Sequence, residues 1–291
     1  AIDVANSNNI ASMIIFKDEI RNIISDIDFI ASNYKSESEI SQININFSES
    51  QFISKDLFNI LKIAKDVEIV SEGFYNIMLG KVSSNLGFAP DFGQKVVQKK
   101  ISSYELDEKN NSLIRYSNNW FDLSSIAKGY AVQKIHDYLT SNNLNNHLID
   151  IGGELIISGT KKGEPWNIGI QNPLATIESS TITINNKNHD FLSIATSGEY
   201  RNYKFDDKGN KVTHTINPKT LSSITNNILS VTIVNETSAT YADAYATAFN
   251  AMGVKKAIDV ANSNNIASMI IFKDEDNVDI IYSDKWYDLF L

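Results

Sequence analysis

The sequence predicts an α+β protein, a mainly antiparallel sheet flanked by helices, and two patterns carry the prediction. Apolar residues recur at helical spacing in runs such as Ile20, Ile23, Ile24, Ile27 and Ile30, the mark of a helix with one face on a core. Runs rich in β-branched and aromatic residues come in pairs joined by short polar turns, as antiparallel strands do. Hydrophobic residues at 42% and charged residues at 21% of the 291 positions are ordinary for a globular chain. No Pro-rich or Gly/Ser-rich linker divides it, so the length fits one large domain or two closely packed lobes.

Taken in order, the chain first shows a repeat: residues 1–19, AIDVANSNNIASMIIFKDE, recur letter for letter at 257–275. Architectural repeats diverge and recur several times, so an artefact of the sequence or a recent duplication explains this one. The second copy reads as native, because Ala257 continues a helix and Ala267–Phe272 runs into a terminal strand. A single domain is therefore expected over 20–291, with 1–19 foreign to it or standing where an N-terminal strand belongs. Residues 18–34 form an amphipathic helix. Ser54 to Ser71 form another, with Ser54 as N-cap and Leu57, Ile60, Leu61, Ala64 and Val67 inward. A strand pair over 97–123 turns at Glu108-Lys109-Asn110-Asn111. Its second strand ends at Trp120-Phe121, a polar turn follows, and then a helix with Ile126, Tyr130, Ile135 and Leu139 on its apolar face. NNHLIDIGGELIISG and PWNIGIQNP read as strands, with Gly152-Gly153 a bulge or a close backbone approach. Two more strands flank a polar turn at 185–190, ILSVTIVNE is another, and TSATYADAYATAFNAMG is a helix.

Composition excludes several functions. A net charge of −9 argues against binding nucleic acid or an anionic membrane through a broad basic surface, so an anionic ligand must be met by a local site. The absence of cysteine removes disulfides, thiolate metal sites and a cysteine nucleophile. No apolar run approaches the roughly 20 residues that span a bilayer.

Four places carry candidate chemistry. Lys128 falls in the first turn of its helix, where unpaired N–H groups disfavour a cation by roughly 0.3–1 kcal/mol. A bound anion removes the conflict, and Ser124, Ser125, Ala127 and Gly129 leave room for a phosphate; the other reading is a capped surface helix with a snorkelling lysine. Asp122, just before it, is placed to accept from a ligand or help carry a metal. Asp243 and Thr247 lie four apart on one helix face, a carboxylate and a hydroxyl of the hard kind magnesium prefers; alternatively Thr240 caps the helix with Asp243 at the third position. His214 can donate to a phosphate or shuttle a proton, or be a structural histidine. Tyr34 offers an aromatic face for stacking, or a half-buried core ring.

The string WFDLSSIAKGYAVQK resembles the DLGGIAKGYAVD motif of the ApbE-type flavin transferases, which move FMN from FAD onto a protein hydroxyl. Five further segments resemble that family in order: SNYKSESEISQIN, GFYNIMLGKV, SIATSGEYRNY, HTINPKTL and ADAYATAFNAMG, with the GG of IDIGGEL beside them. The resemblance implies an FAD site between lobes, contacted by Tyr34, Phe74, Tyr75, Asn76, Asp122, Lys128, Ser197, Gly198, His214 and Ile216. It implies Mg²⁺ on Asp243, Thr247 and the carbonyl of Ser125, with His214 or Asp243 as general base. The implied reaction passes FMN to a Ser or Thr hydroxyl of an acceptor protein, such as a membrane redox-complex subunit, and releases AMP. The alternatives are an FAD pyrophosphatase giving FMN and AMP, and a non-catalytic FAD carrier. A cell-envelope location, with a lipid anchor trimmed ahead of Ala1, is expected on the same ground. Asn76 and Asn217 stand where the family has Asp, Leu221 where it has Gly, and Met13 lacks the family's following Gly-Thr.

Overall fold

The computed structural model describes residues 10–94, 98–174, 180–198, 203–205, 209, 211–275 and 277–291. At its centre six antiparallel strands lie side by side in the order the chain makes them: β1 (His147–Ile151), β2 (Glu154–Ser158), β3 (Phe191–Gly198), β4 (Ile228–Asn235), β5 (Ala267–Asp274) and β6 (Asn277–Tyr282). Alternate side chains go to two different cores. Ala195, Val231, Ile233 and Ile270 join helices α1 (Ile10–Ala31), α3 (Lys55–Val70), α5 (Ala127–Ser141), α6 (Ala239–Met252) and α7 (Val254–Ser263). Leu192, Ile194, Val234, Met269 and Ile271 join Trp166, Ile170 and Ile184, together with Trp286 of α8 (Asp284–Phe290). Burial on both faces is why these strands read as nearly unbroken apolar runs.

Helix α6 is buried almost all round, and its alanines explain how. Ala242, Ala244, Ala246 and Ala248 are each at most 2% exposed, and their single methyls let the helix lie close to both the sheet and α5. A small three-stranded sheet formed by Ser50–Phe52, Tyr104–Asp107 and Ser112–Arg115 is tied to helix α2 (Glu39–Ile45) by Arg115, which donates to the Ile43 carbonyl, and helix α4 (Gly80–Asn85) follows α3 along the chain. Among the described residues no helix is long and apolar enough to cross a membrane.

Several expectations are corrected. Trp120-Phe121 does not end a strand: that strand stops at Arg115, and the first strand of the pair begins at Tyr104, the predicted start at residue 97 lying outside the described residues. Gly152-Gly153 is the two-residue turn of a hairpin, pairing Ile151 with Glu154, because both glycines take a positive φ, +63 and +101. The cap of α6 is Ser238, which accepts from the Tyr241 N–H, so Thr240 lies inside the helix. The strand after α7 is not terminal, since β6 and α8 follow it.

The repeat has two structures. Residues 11–18 lie in α1, whereas the same eight letters at 267–274 are β5. The first copy runs directly into the amphipathic stretch ending at Ala31, and extending an existing helix needs no new nucleus. The second copy lies between β4 and β6 and pairs with both.

Candidate active site

Two buried asparagines build the segment that carries Asp122. Phe121 N–H donates to Asn44 Oδ1 at 2.7 Å, Leu123 N–H donates to Asn33 Oδ1 at 2.8 Å, and both side-chain amides donate back to the Phe121 carbonyl. These side chains supply the hydrogen bonds that a ladder partner would. Asp122 N–H donates to the Ile77 carbonyl at 2.7 Å, and the carboxylate accepts from the N–H and hydroxyl of Ser124. Gly80 admits this arrangement, since a Cβ there would stand 2.7 Å from the Phe121 carbonyl oxygen.

The chain then enters α5 through Ile126, which supplies no capping side chain. The anion seat expected at this turn is less open than the spacing suggests. Ala127 N–H is taken by the Leu123 carbonyl, and Gly129 N–H by the Asp243 carboxylate at 2.8 Å. Lys128 turns its ammonium to Glu154, the first residue of β2. Asp243 is 5% exposed. Burial pushes its carboxyl above the ordinary range, opposed by Lys128 and the Gly129 N–H. Burial likewise raises Glu154 to about 7, with the Asp243 charge adding to it and Lys128 opposing.

Tyr34, Phe74, Tyr75, Asn76, Asp122, Ser125, Lys128, Ser197, Gly198, His214, Ile216, Asp243 and Thr247 all line one cavity of about 610 Å³. Tyr34 is 66% exposed and donates its hydroxyl to the Phe88 carbonyl at 2.7 Å. The Phe88 ring meets His214 edge to face, with centroids 6.3 Å apart. Tyr75 is buried and accepts from the Ser125 hydroxyl at 3.0 Å; burial drives its phenol far upward, so it stays protonated. Asn76 spends its polar atoms on α3 and on its own loop, donating to Glu68 and accepting from the Met78 N–H. Leu221 takes φ +55, the left-handed conformation that glycine adopts freely, at a cost of about 1–2 kcal/mol.

Sequence reasoning missed Glu154 and Asn250 among the groups that shape this cavity. Glu154 was visible in the GGEL string. Asn250, fully buried on α6, donates to Ser197 Oγ at 3.3 Å and Thr215 Oγ1 at 3.5 Å; an isolated asparagine gives no such signal. Among the described residues no three His, Cys, Asp or Glu side chains cluster closely enough to hold a metal. Asp243, Thr247 and Ser125 are instead an oxygen set with one carboxylate, which fits magnesium, an ion that takes few protein ligands and completes its shell with water and phosphate.

The fold and cavity define an antiparallel α+β protein with a polar ligand site walled by α5, α6 and the central sheet. The chain belongs to the ApbE family, whose family model matches residues 2–270. It is 32% identical over 270 residues to an FAD:protein FMN transferase of Vibrio cholerae, covering 89% of this chain and 79% of the relative. A Haemophilus influenzae protein of the same name is 32% identical over 273 residues, covering 88% and 78%. The solved flavin transferase ApbE from Vibrio cholerae superposes with a TM-score of 0.82 at 26% identity, covering 98% of this chain and 93% of that one.

Proposed function

We propose that this chain transfers FMN from FAD to a Ser or Thr hydroxyl of an acceptor protein and releases AMP. The observation that carries the reading is the meeting of Lys128, Asp243, Thr247 and His214 on one cavity, in a chain whose relatives bear the name of that activity. Tyr34, Phe74, Tyr75, Asn76, Ser197, Gly198 and Ile216 line the same cavity and would contact the FAD. Lys128 would meet the pyrophosphate, where a cation stabilises charge developing on the leaving oxygen, and Asp122 would accept hydrogen bonds from the rest of the ligand. Magnesium, held by Asp243, Thr247 and the Ser125 carbonyl, would supply further charge neutralisation.

The acceptor oxygen forms a bond to the phosphorus on the FMN side of the anhydride, and the bond from that phosphorus to the AMP oxygen breaks. His214, on the wall of the same cavity, takes the hydroxyl proton as general base. The family resemblance supports an acceptor among membrane redox-complex subunits and a reaction at the cell envelope.

The test is to incubate the protein with FAD and magnesium, with and without a Thr-containing acceptor domain, and analyse products by mass spectrometry. AMP with an FMN-bearing acceptor is expected. AMP and free FMN regardless of acceptor would make the protein a pyrophosphatase, and intact FAD retained on it a carrier.

A further inference from the structure

We infer that Glu154 positions Lys128: its carboxylate holds the ammonium at the pyrophosphate seat and away from Asp243, leaving Asp243 to the cation. The inference rests on the FAD reading above and deepens it.

The two partners of this ion pair differ in rigidity. The Glu154 side chain is 5% exposed and that of Lys128 44%. Glu154 opens β2 directly after the two-glycine turn and is paired with Ile151, so its backbone is fixed by the central sheet. Lys128 has a flexible four-carbon stem whose ordering is costly without an anchor. The turn itself passes along the pair: a Cβ at Gly152 would lie 3.9 Å from Lys128 Cδ and 4.0 Å from Glu154 Oε2. The fixed carboxylate therefore decides where the mobile ammonium rests.

Asp243 is the competitor. It lines the same cavity, and Lys128 favours its ionised form. An ammonium released by Glu154 either returns to solvent or moves to Asp243, and in the second case it opposes a cation there. Glu154 need not touch the ligand for its loss to weaken binding.

A double-mutant cycle separates this from a merely structural role. FAD affinity is measured by quenching of flavin fluorescence, with magnesium present, for wild type, Glu154→Gln, Lys128→Met and the double variant. Each single change is expected to weaken binding about tenfold, the scale of one charge-assisted contact, with the double variant no weaker than Lys128→Met alone. Losses that multiply in the double variant, or a Glu154→Gln protein that binds as wild type does, overturn the inference. Should Glu154→Gln fail to give a cooperative melt, Glu154→Asp takes its place in the cycle under the same criterion. A wild-type protein that binds no FAD overturns the functional reading as well, since Lys128 then has no pyrophosphate to meet.

Discussion

The backbone N–H of Gly129 donates to the Asp243 carboxylate at 2.8 Å, joining the first turn of α5 to α6 across 114 residues of sequence. The contact requires glycine, because a Cβ at 129 would stand 2.5 Å from the Ala239 carbonyl oxygen and 2.6 Å from Asp243 Cβ. The AKGYA and ADAYA strings are thus two halves of one joint.

Gly129→Ala should separate the two helices and destabilise the protein by about 1–3 kcal/mol, as overpacking of a close contact does. Thermal denaturation checks this. A midpoint unchanged within a degree would mean that the helices can shift without cost.

Asp243→Asn keeps an acceptor for the Gly129 N–H while removing the carboxylate charge. The fold should survive and AMP release should fall by on the order of a hundredfold or more, the scale at which lost charge stabilisation is felt in a transition state. Turnover near the wild-type rate at saturating magnesium would rule out the metal-ligand role.

His147 supplies a pH dependence independent of the cavity. Its ring is fully buried, with Nδ1 2.7 Å from the Leu144 carbonyl and Nε2 2.9 Å from His136 Nδ1. Burial lowers its pKa to about 4, so between about 6.5 and 4 the unfolded chain binds the proton that the folded one refuses. Stability is present above that window and lost as the pH falls through it. Glu154 works the other way, since its raised carboxyl favours the folded state as the pH falls below about 7. The comparison must therefore be with His147→Gln: between pH 7 and 4.5, urea denaturation should show wild type losing about 1–3 kcal/mol more than the variant. Parallel losses would assign the acid sensitivity elsewhere.

The two copies of the repeat should respond oppositely to proline. Ser12 lies in the first turn of α1, where the N–H has no intrahelical partner and proline is tolerated. Its counterpart Ser268 is fully buried in β5, paired with Ile233, and its N–H donates to Ser283 Oγ at 2.9 Å, a bond that proline removes. Ser12→Pro should leave the urea midpoint close to wild type, and Ser268→Pro should abolish cooperative folding. Similar effects of the two would contradict the different structures of the copies.

Much of the architecture was legible in local pattern. The periodicity at 54–71 gave α3 with Ser54 as its cap, and the apolar runs at 191–198 and 228–235 gave two central strands. The site residues marked by family-like strings meet on one cavity. Asn33 and Asn44 were not legible as the supports of residues 121–123, because their partners lie 77 to 90 positions away. Nor was the bond between Gly129 and Asp243, which made a capping box the natural local reading of TSATYAD.

What the sequence determined by itself is what depends on neighbours along the chain: helical faces, caps, turns and the charge and chemistry available. The tertiary structure alone decided which polar groups pair across the cavity and which strands lie side by side. Residues 11–18 and 267–274 state the division most directly, since eight identical letters are helix in one place and strand in the other. Their local propensities are equal, so the difference comes from continuity with a packed helix in one case and two flanking strands in the other.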